Sequence, residues 1–223
     1  MIARFLHWVI RGLVRILVNV HTIGFEHRPA QGPYIIVANH LAFWDAPILY
    51  ALIGGPQLSG WAAEKYRYNP IWGTILRMGS GIFIQRGQVD RDALGGAVDW
   101  LKQGKVFALA PEGTRTKTGG LARGKGGVAY IAQQSGAPIL PMAHFGTERV
   151  VHGWLRLRRP IVTVRMGPPF MLPPLPAGDR SLALRQQTDL VMCHIAALLP
   201  PEYRGVYADH QELRRLLAET RPA

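Results

Sequence analysis

Short apolar runs alternate with helix-patterned stretches along almost the whole chain, and that alternation restricts the fold more than any other feature. "YIIVAN", "LSGWAA", "GIFIQRG", "KVFALA", "APILPMA" and "IVTVRMG" read as strands, with "TIGFEHRP" as a further one near the start. Between them lie "APILYALI", stopped by Gly54, Gly55 and Pro56, then "PIWGTILRMG", "DRDALGGAVDWLKQG" and "KGGVAYIAQQSG". "DRSLALRQQTDLVMCHIAALLPP" reads as a long helix, and residues 209–220 as a last one. Strands alternating with helices predict an α/β fold, a mainly parallel sheet covered by helices on both faces. A chain of 223 residues fits one such domain with a sizeable core.

The opening stretch stands apart, and residues 1–20 are expected to form an amphipathic interfacial helix ahead of a domain spanning 21–223. Arg4, Arg11 and Arg15 interrupt the apolar sequence, so the stretch does not read as a secretory signal and makes a poor transmembrane span. At helical spacing these arginines and His7 form one stripe, while Phe5, Leu6, Val9, Leu13, Ile16 and Leu17 cover most of the rest. Such a helix suits a membrane interface. The alternative is ordinary packing on its own domain, although the apolar arc is wider than one packing contact needs.

Charge narrows the partner. The formal balance is +12, and residues 101–130 carry Lys102, Lys105, Arg115, Lys117, Arg123 and Lys125 against Glu112. That excess favours an anionic partner: nucleic acid, an anionic lipid surface or a phosphorylated small substrate. The sequence carries no nucleic-acid module and no basic run interleaved with stacking aromatics, so nucleic acid is not expected as a partner. A single cysteine, Cys193, excludes an internal disulfide and fits a reducing compartment. Its apolar helical context reads as core. His7, His21, His27, His144, His152, His194 and His210 show no metal-ligand spacing, so no metal is expected.

Chemistry concentrates in "YIIVANHLAFWDAP". On one continuous helix His40 and Asp45 would stand roughly 140° apart and would not meet. The strand ends near Ala38, however, and Pro47 suits a first helical turn. A turn between the two elements can therefore bring His40 back to Asp45, which is expected at the helix N-cap. Taken alone, an Asp before a helix is most often only a cap, and a lone His at a strand end is usually structural.

Three further segments change that weighing: "FIQRG" (Phe83 to Gly87), "PEGTR" (Pro111 to Arg115) and "APILPMA" (Ala137 to Ala143). In this order and spacing the four blocks, over roughly residues 35–145, resemble the glycerolipid acyltransferases of the 1-acylglycerol-3-phosphate acyltransferase type. The resemblance implies an enzyme that moves a fatty acyl group from an acyl thioester to the free glycerol hydroxyl of lysophosphatidic acid, giving phosphatidic acid. Another lysophospholipid or an aminolipid is the alternative acceptor, and a non-catalytic basic membrane- or nucleic-acid-binding protein is a more remote reading. It implies His40 as general base and Asp45 as its support. Arg86 and Gly87 are expected along the acceptor phosphate site, with Glu112, Gly113, Thr114 and Arg115 lining the same site. The apolar stretch from Pro138 to Pro141 is associated with acyl or thioester binding and with shaping the core. Ala110 stands where the family often has an aromatic residue, and Gln85 precedes the arginine of the second block. No cofactor is implied beyond an acyl-CoA or acyl carrier protein thioester as co-substrate. The expected place is the cytoplasmic face of a membrane, peripheral or monotopic.

The residue chemistry agrees with those roles. An alcohol keeps its proton at neutral pH, and an imidazole, which titrates near neutrality, can take it as attack begins. A carboxylate on the other ring nitrogen fixes the tautomer and stabilises the imidazolium. Arg86 and Arg115 suit a phosphate monoester, since a guanidinium offers it two parallel donors. Arg123 and Lys125 would add positive field at the same mouth.

Overall fold

A computed structural model describes residues 2–55, 57–85 and 90–219. The chain begins with helix α1 (Ile2–Leu17) and enters the sheet at once through strand β1 (Asn19–Ile23). Then follow β2 (Tyr34–Ala38), α2 (Asp45–Ile53), β3 (Leu58–Ala63), α3 (Trp72–Met78), β4 (Ile82–Ile84), α4 (Arg91–Lys102) and β5 (Val106–Leu109). The second half runs α5 (Gly127–Ser135), β6 (Ile139–Phe145), α6 (Val150–Leu155), β7 (Ile161–Met166), α7 (Arg180–Leu198) and α8 (Gln211–Glu219).

The strands lie in the order β1-β7-β6-β2-β5-β3-β4. Every pairing is parallel except β6 with β7. The expected mainly parallel α/β sheet is therefore present. The connection between these two strands holds α6, which the apolar periodicity did not announce, and β7 returns antiparallel alongside β6.

β2 is buried along its whole length, as a central parallel strand with both faces covered must be. Ile35 and Val37 face a core built with Leu101, Ile131 and Ile195 of α4, α5 and α7. Tyr34, Ile36 and Ala38 face the opposite core, with Ile48 and Ile53 of α2 and Val150 of α6. Period-two alternation along one strand thus feeds two helical layers.

Two expectations about the start of the chain change. "TIGFEHRP" is not one strand: β1 ends at Ile23, and Phe25–His27 forms a 3-10 turn. Gly24 makes the break at φ 75°, where a side chain would run into the Met166 carbonyl. The proposed boundary at residue 20 falls inside β1, which pairs with β7 from Asn19↔Ile161 onward. α1 is also joined to the body, since Trp154 Nε1 donates to the Leu17 carbonyl (2.9 Å) and Arg159 donates to those of Arg15 (2.7 Å) and Val18 (3.0 Å).

Candidate active site

Three neighbouring strands, β2, β5 and β6, deliver their carboxyl ends to one place, where open α/β sheets commonly present ligand sites. Asn39 and His40 follow β2, the segment 110–115 follows β5, and His144 lies near the end of β6.

His40 turns back onto Asp45, as the turn between β2 and α2 allows, and its Nδ1 donates to Asp45 Oδ2 at 2.7 Å. The same oxygen accepts from the backbone amides of Leu41 (2.7 Å) and Ala42 (2.8 Å). Asp45 is not the N-cap. That position belongs to Trp44, and Asp45 opens α2 with its carboxylate turned back along the chain. It holds the turn rather than the helix end. His144 approaches the other oxygen, with Nε2 3.2 Å from Asp45 Oδ1. Burial pushes the Asp45 carboxyl upward; His144 and His40, with Thr147, outweigh that and hold it well below the usual carboxylate range. At neutral pH Asp45 is a carboxylate, so the Nδ1 proton of His40 is fixed and Nε2 remains for chemistry.

Glu112 ties the second loop to the first. Its Oε1 accepts from the His40 backbone amide (2.9 Å) and its Oε2 from that of Ala122 (2.8 Å). The Thr116 amide also donates to the His40 carbonyl at 2.9 Å. Burial pushes the Glu112 carboxyl up, opposed by the two amides and by the nearby histidines. Asn39 makes a paired contact with β6, donating to the His144 carbonyl (2.8 Å) and accepting from its amide (2.9 Å).

A cavity of about 1480 Å³ opens beside His40 and Asp45. Gly113, Arg115 and Lys125 are among the residues that line it, together with the apolar Val9, Leu13, Ile36, Trp44, Ile48 and Ile53. Gly113 adopts φ 70°, with the Lys125 side chain packed where a Cβ would point. The structure thus brings His40, Asp45, Gly113 and Arg115 together. Glu112 is spent on backbone amides, and Thr114 is exposed away from the cavity wall. Arg86 and Gly87 lie outside the described residues. Of the stretch from Pro138 to Pro141, β6 takes most into the sheet, where Met142, one residue on, reaches the cavity.

Sequence reasoning passed over Asn39 and His144 and gave Glu112 a different task. His144 was detectable, as the only titratable side chain in β6. Among the described residues, no three His, Cys, Asp or Glu side chains are grouped to hold a metal ion. Cys193 is fully buried and its thiol is pushed up to about 12, chiefly by burial, so it is a core residue rather than a nucleophile.

The model of the family described as Acyltransferase matches residues 18–144, more than half the chain. The chain belongs to that family. It is 33% identical over 150 residues to an N-acylphosphatidylethanolamine synthase of Arabidopsis thaliana, covering 61% of this chain and 53% of the relative. It is 28% identical over 144 residues to a 1-acyl-sn-glycerol-3-phosphate acyltransferase of Pseudomonas aeruginosa, covering 63% and 54%. The chain thus spans about half the length of these relatives. The fold is shared with the 1-acyl-sn-glycerophosphate acyltransferase PlsC of Thermotoga maritima, at a TM-score of 0.63 and 24% identity over 85% of this chain and 76% of that one.

Proposed function

We propose that this chain transfers a fatty acyl group from an acyl thioester to the free glycerol hydroxyl of lysophosphatidic acid, giving phosphatidic acid at a membrane surface. The observation that carries the reading is the position of His40, bonded through Nδ1 to Asp45, on a cavity lined by both cationic and apolar side chains. Arg115 and Lys125 offer donors and charge to a phosphate monoester, and the apolar lining side chains accept hydrocarbon. The relatives named as acylglycerol-phosphate acyltransferases support the same acceptor.

His40 Nε2 takes the acceptor's hydroxyl proton as the oxygen attacks the thioester carbonyl, forming the new C–O bond. Asp45 stabilises the resulting imidazolium. When the tetrahedral intermediate collapses, the C–S bond breaks and His40 returns the proton to the departing thiolate. Protons balance, and no covalent acyl-enzyme is needed. The donor is an acyl-CoA or acyl carrier protein thioester.

Attachment rests on α1. Phe5, Trp8 and Ile16 are 64%, 74% and 69% exposed, while Leu6, Val9 and Ile10 face the cavity. No helix among the described residues is long and apolar enough to cross a membrane. An apolar face beside a cationic stripe fits a helix lying in the interface on the cytoplasmic side.

The test is purified protein with a labelled acyl thioester and a panel of lysolipids, products resolved by headgroup. Labelled phosphatidic acid as the main product is expected. Preferential acylation of an ethanolamine lipid at nitrogen would instead align the chain with its N-acylphosphatidylethanolamine synthase relative, and no product from any acceptor would overturn the enzyme reading.

A further inference from the structure

His144 is an unusual occupant of its strand. β6 reads "ILPMAHF", buried from Ile139 through His144, and His144 is 0% exposed. Its main chain is satisfied by Asn39. Its ring is not: Nδ1 has no hydrogen-bond partner, and Nε2 lies 3.2 Å from Asp45 Oδ1 without a straight hydrogen bond. A buried imidazole left in that condition carries a desolvation cost that its own hydrogen bonds do not offset. The main-chain contacts of the strand do not call for an imidazole at this position. What it does supply is a donor facing the one carboxylate oxygen that neither His40 nor the turn amides occupy.

We propose that His144 is a positioning residue for acyl transfer: by facing Asp45 Oδ1 it fixes the rotation of the carboxylate and keeps Oδ2 aimed at His40 Nδ1. The catalytic support is therefore a three-residue array, His144–Asp45–His40, with the first member wholly buried and the last open to the cavity. A carboxylate flanked on one side only can swing about its terminal bond. A donor on each oxygen removes that freedom, so the imidazolium formed during attack meets a fixed charge rather than a mobile one. The side chain acts without touching substrate.

This inference rests on His40 being the base, so the experiment separates the two. His40→Ala is assayed first with the acceptor that wild type uses best. His144→Leu, which removes the donor, is then compared with His144→Gln, which can restore one from its side-chain amide. For His144→Leu, kcat falls roughly ten- to a hundredfold, the size of one charge-assisted contact. Both KM values stay within about twofold, while melting temperature falls, because the buried Asp45 carboxylate loses a group that favours its charged form. His144→Gln recovers a large part of kcat. In ¹⁵N-labelled protein, the low-field His40 Nδ1–H proton resonance shifts or broadens in His144→Leu and returns in His144→Gln. A purely structural role would move melting temperature and KM but not this pattern. If His144→Leu does not fold, His144→Met, unbranched and equally without a donor, is read in the same way. Unchanged kcat and an unchanged His40 resonance in a folded, donor-free variant overturn the role of His144 while leaving His40 as base. Retained turnover in His40→Ala overturns both.

Discussion

At the scale of single residues, the reaction depends on one carboxylate with several donors. Asp45 Oδ2 accepts from His40 Nδ1 and from the amides of Leu41 and Ala42. Asp45→Asn keeps the shape, but its amide must either turn an NH₂ toward three donors or give up part of that set. If Asp45 were only a helix cap, asparagine would serve nearly as well. The structure predicts otherwise. Stability should fall by about 1–3 kcal/mol, the cost of leaving a buried donor unsatisfied, and turnover by roughly a hundredfold or more. Thermal melting and single-substrate kinetics on the same preparation check both effects. An unchanged melting temperature would show that the 41–42 turn stands without Asp45.

At the scale of elements, two loops and one helix carry the function. The turn after β2 and the loop after β5 are fastened by Glu112 between the His40 and Ala122 amides. Glu112→Gln leaves one oxygen and turns an NH₂ against a second amide donor. We expect destabilisation of about 1–3 kcal/mol and a fall in kcat, because the backbone under His40 loses its anchor. A selective rise in acceptor KM with kcat preserved would instead put Glu112 at the headgroup. α1 serves two elements at once: its Leu6, Val9 and Ile10 wall the cavity, and its Phe5 and Trp8 are exposed. Deleting the helix would therefore open the cavity, so the informative change is Phe5→Ser with Trp8→Ser. Sedimentation with anionic vesicles should show binding weakened at least tenfold, since each ring inserts on the order of 1.5–3 kcal/mol of apolar surface. Melting temperature should hold. Vesicle binding equal to wild type would move attachment to another face.

At the scale of the whole molecule, the buried charge array makes stability depend on pH in a defined direction. The Asp45 carboxyl is held below its ordinary value in the folded state. Its contribution is thus present above the unfolded carboxylate range, near pH 4, and is lost as pH falls through the lowered folded value. The stability difference between wild type and Asp45→Asn should be constant from pH 7 to about pH 5 and shrink on further acidification. Chemical denaturation at a series of pH values measures it. A difference already lost by pH 6 would mean that Asp45 is not held ionised by its neighbours. The site sits where the ends of β2, β5 and β6 converge, so acid loosening of Asp45 should reach all three connections together.

The sequence alone determined whatever depends on near neighbours along the chain. Alternating apolar runs and helical periodicity gave the α/β sheet, because burial of a strand or a helix face imposes a period on the residues themselves. His40 and Asp45 were legible for the same reason: five residues and a turn suffice to join them. Asp90, just ahead of α4, likewise caps it through a local contact, accepting from the Ala93 amide. Only the tertiary structure decided the tasks of Glu112 and His144. Glu112 meets the His40 amide across 72 positions, and Asn39 pairs with the His144 backbone across 105. Nothing in a local pattern encodes such contacts, since they exist only once β2 lies between β5 and β6. The double duty of α1 was also undecided by its sequence. A wide apolar arc permits both a cavity wall and an exposed face, and it is the packing of the body beneath the helix that assigns which residues do each.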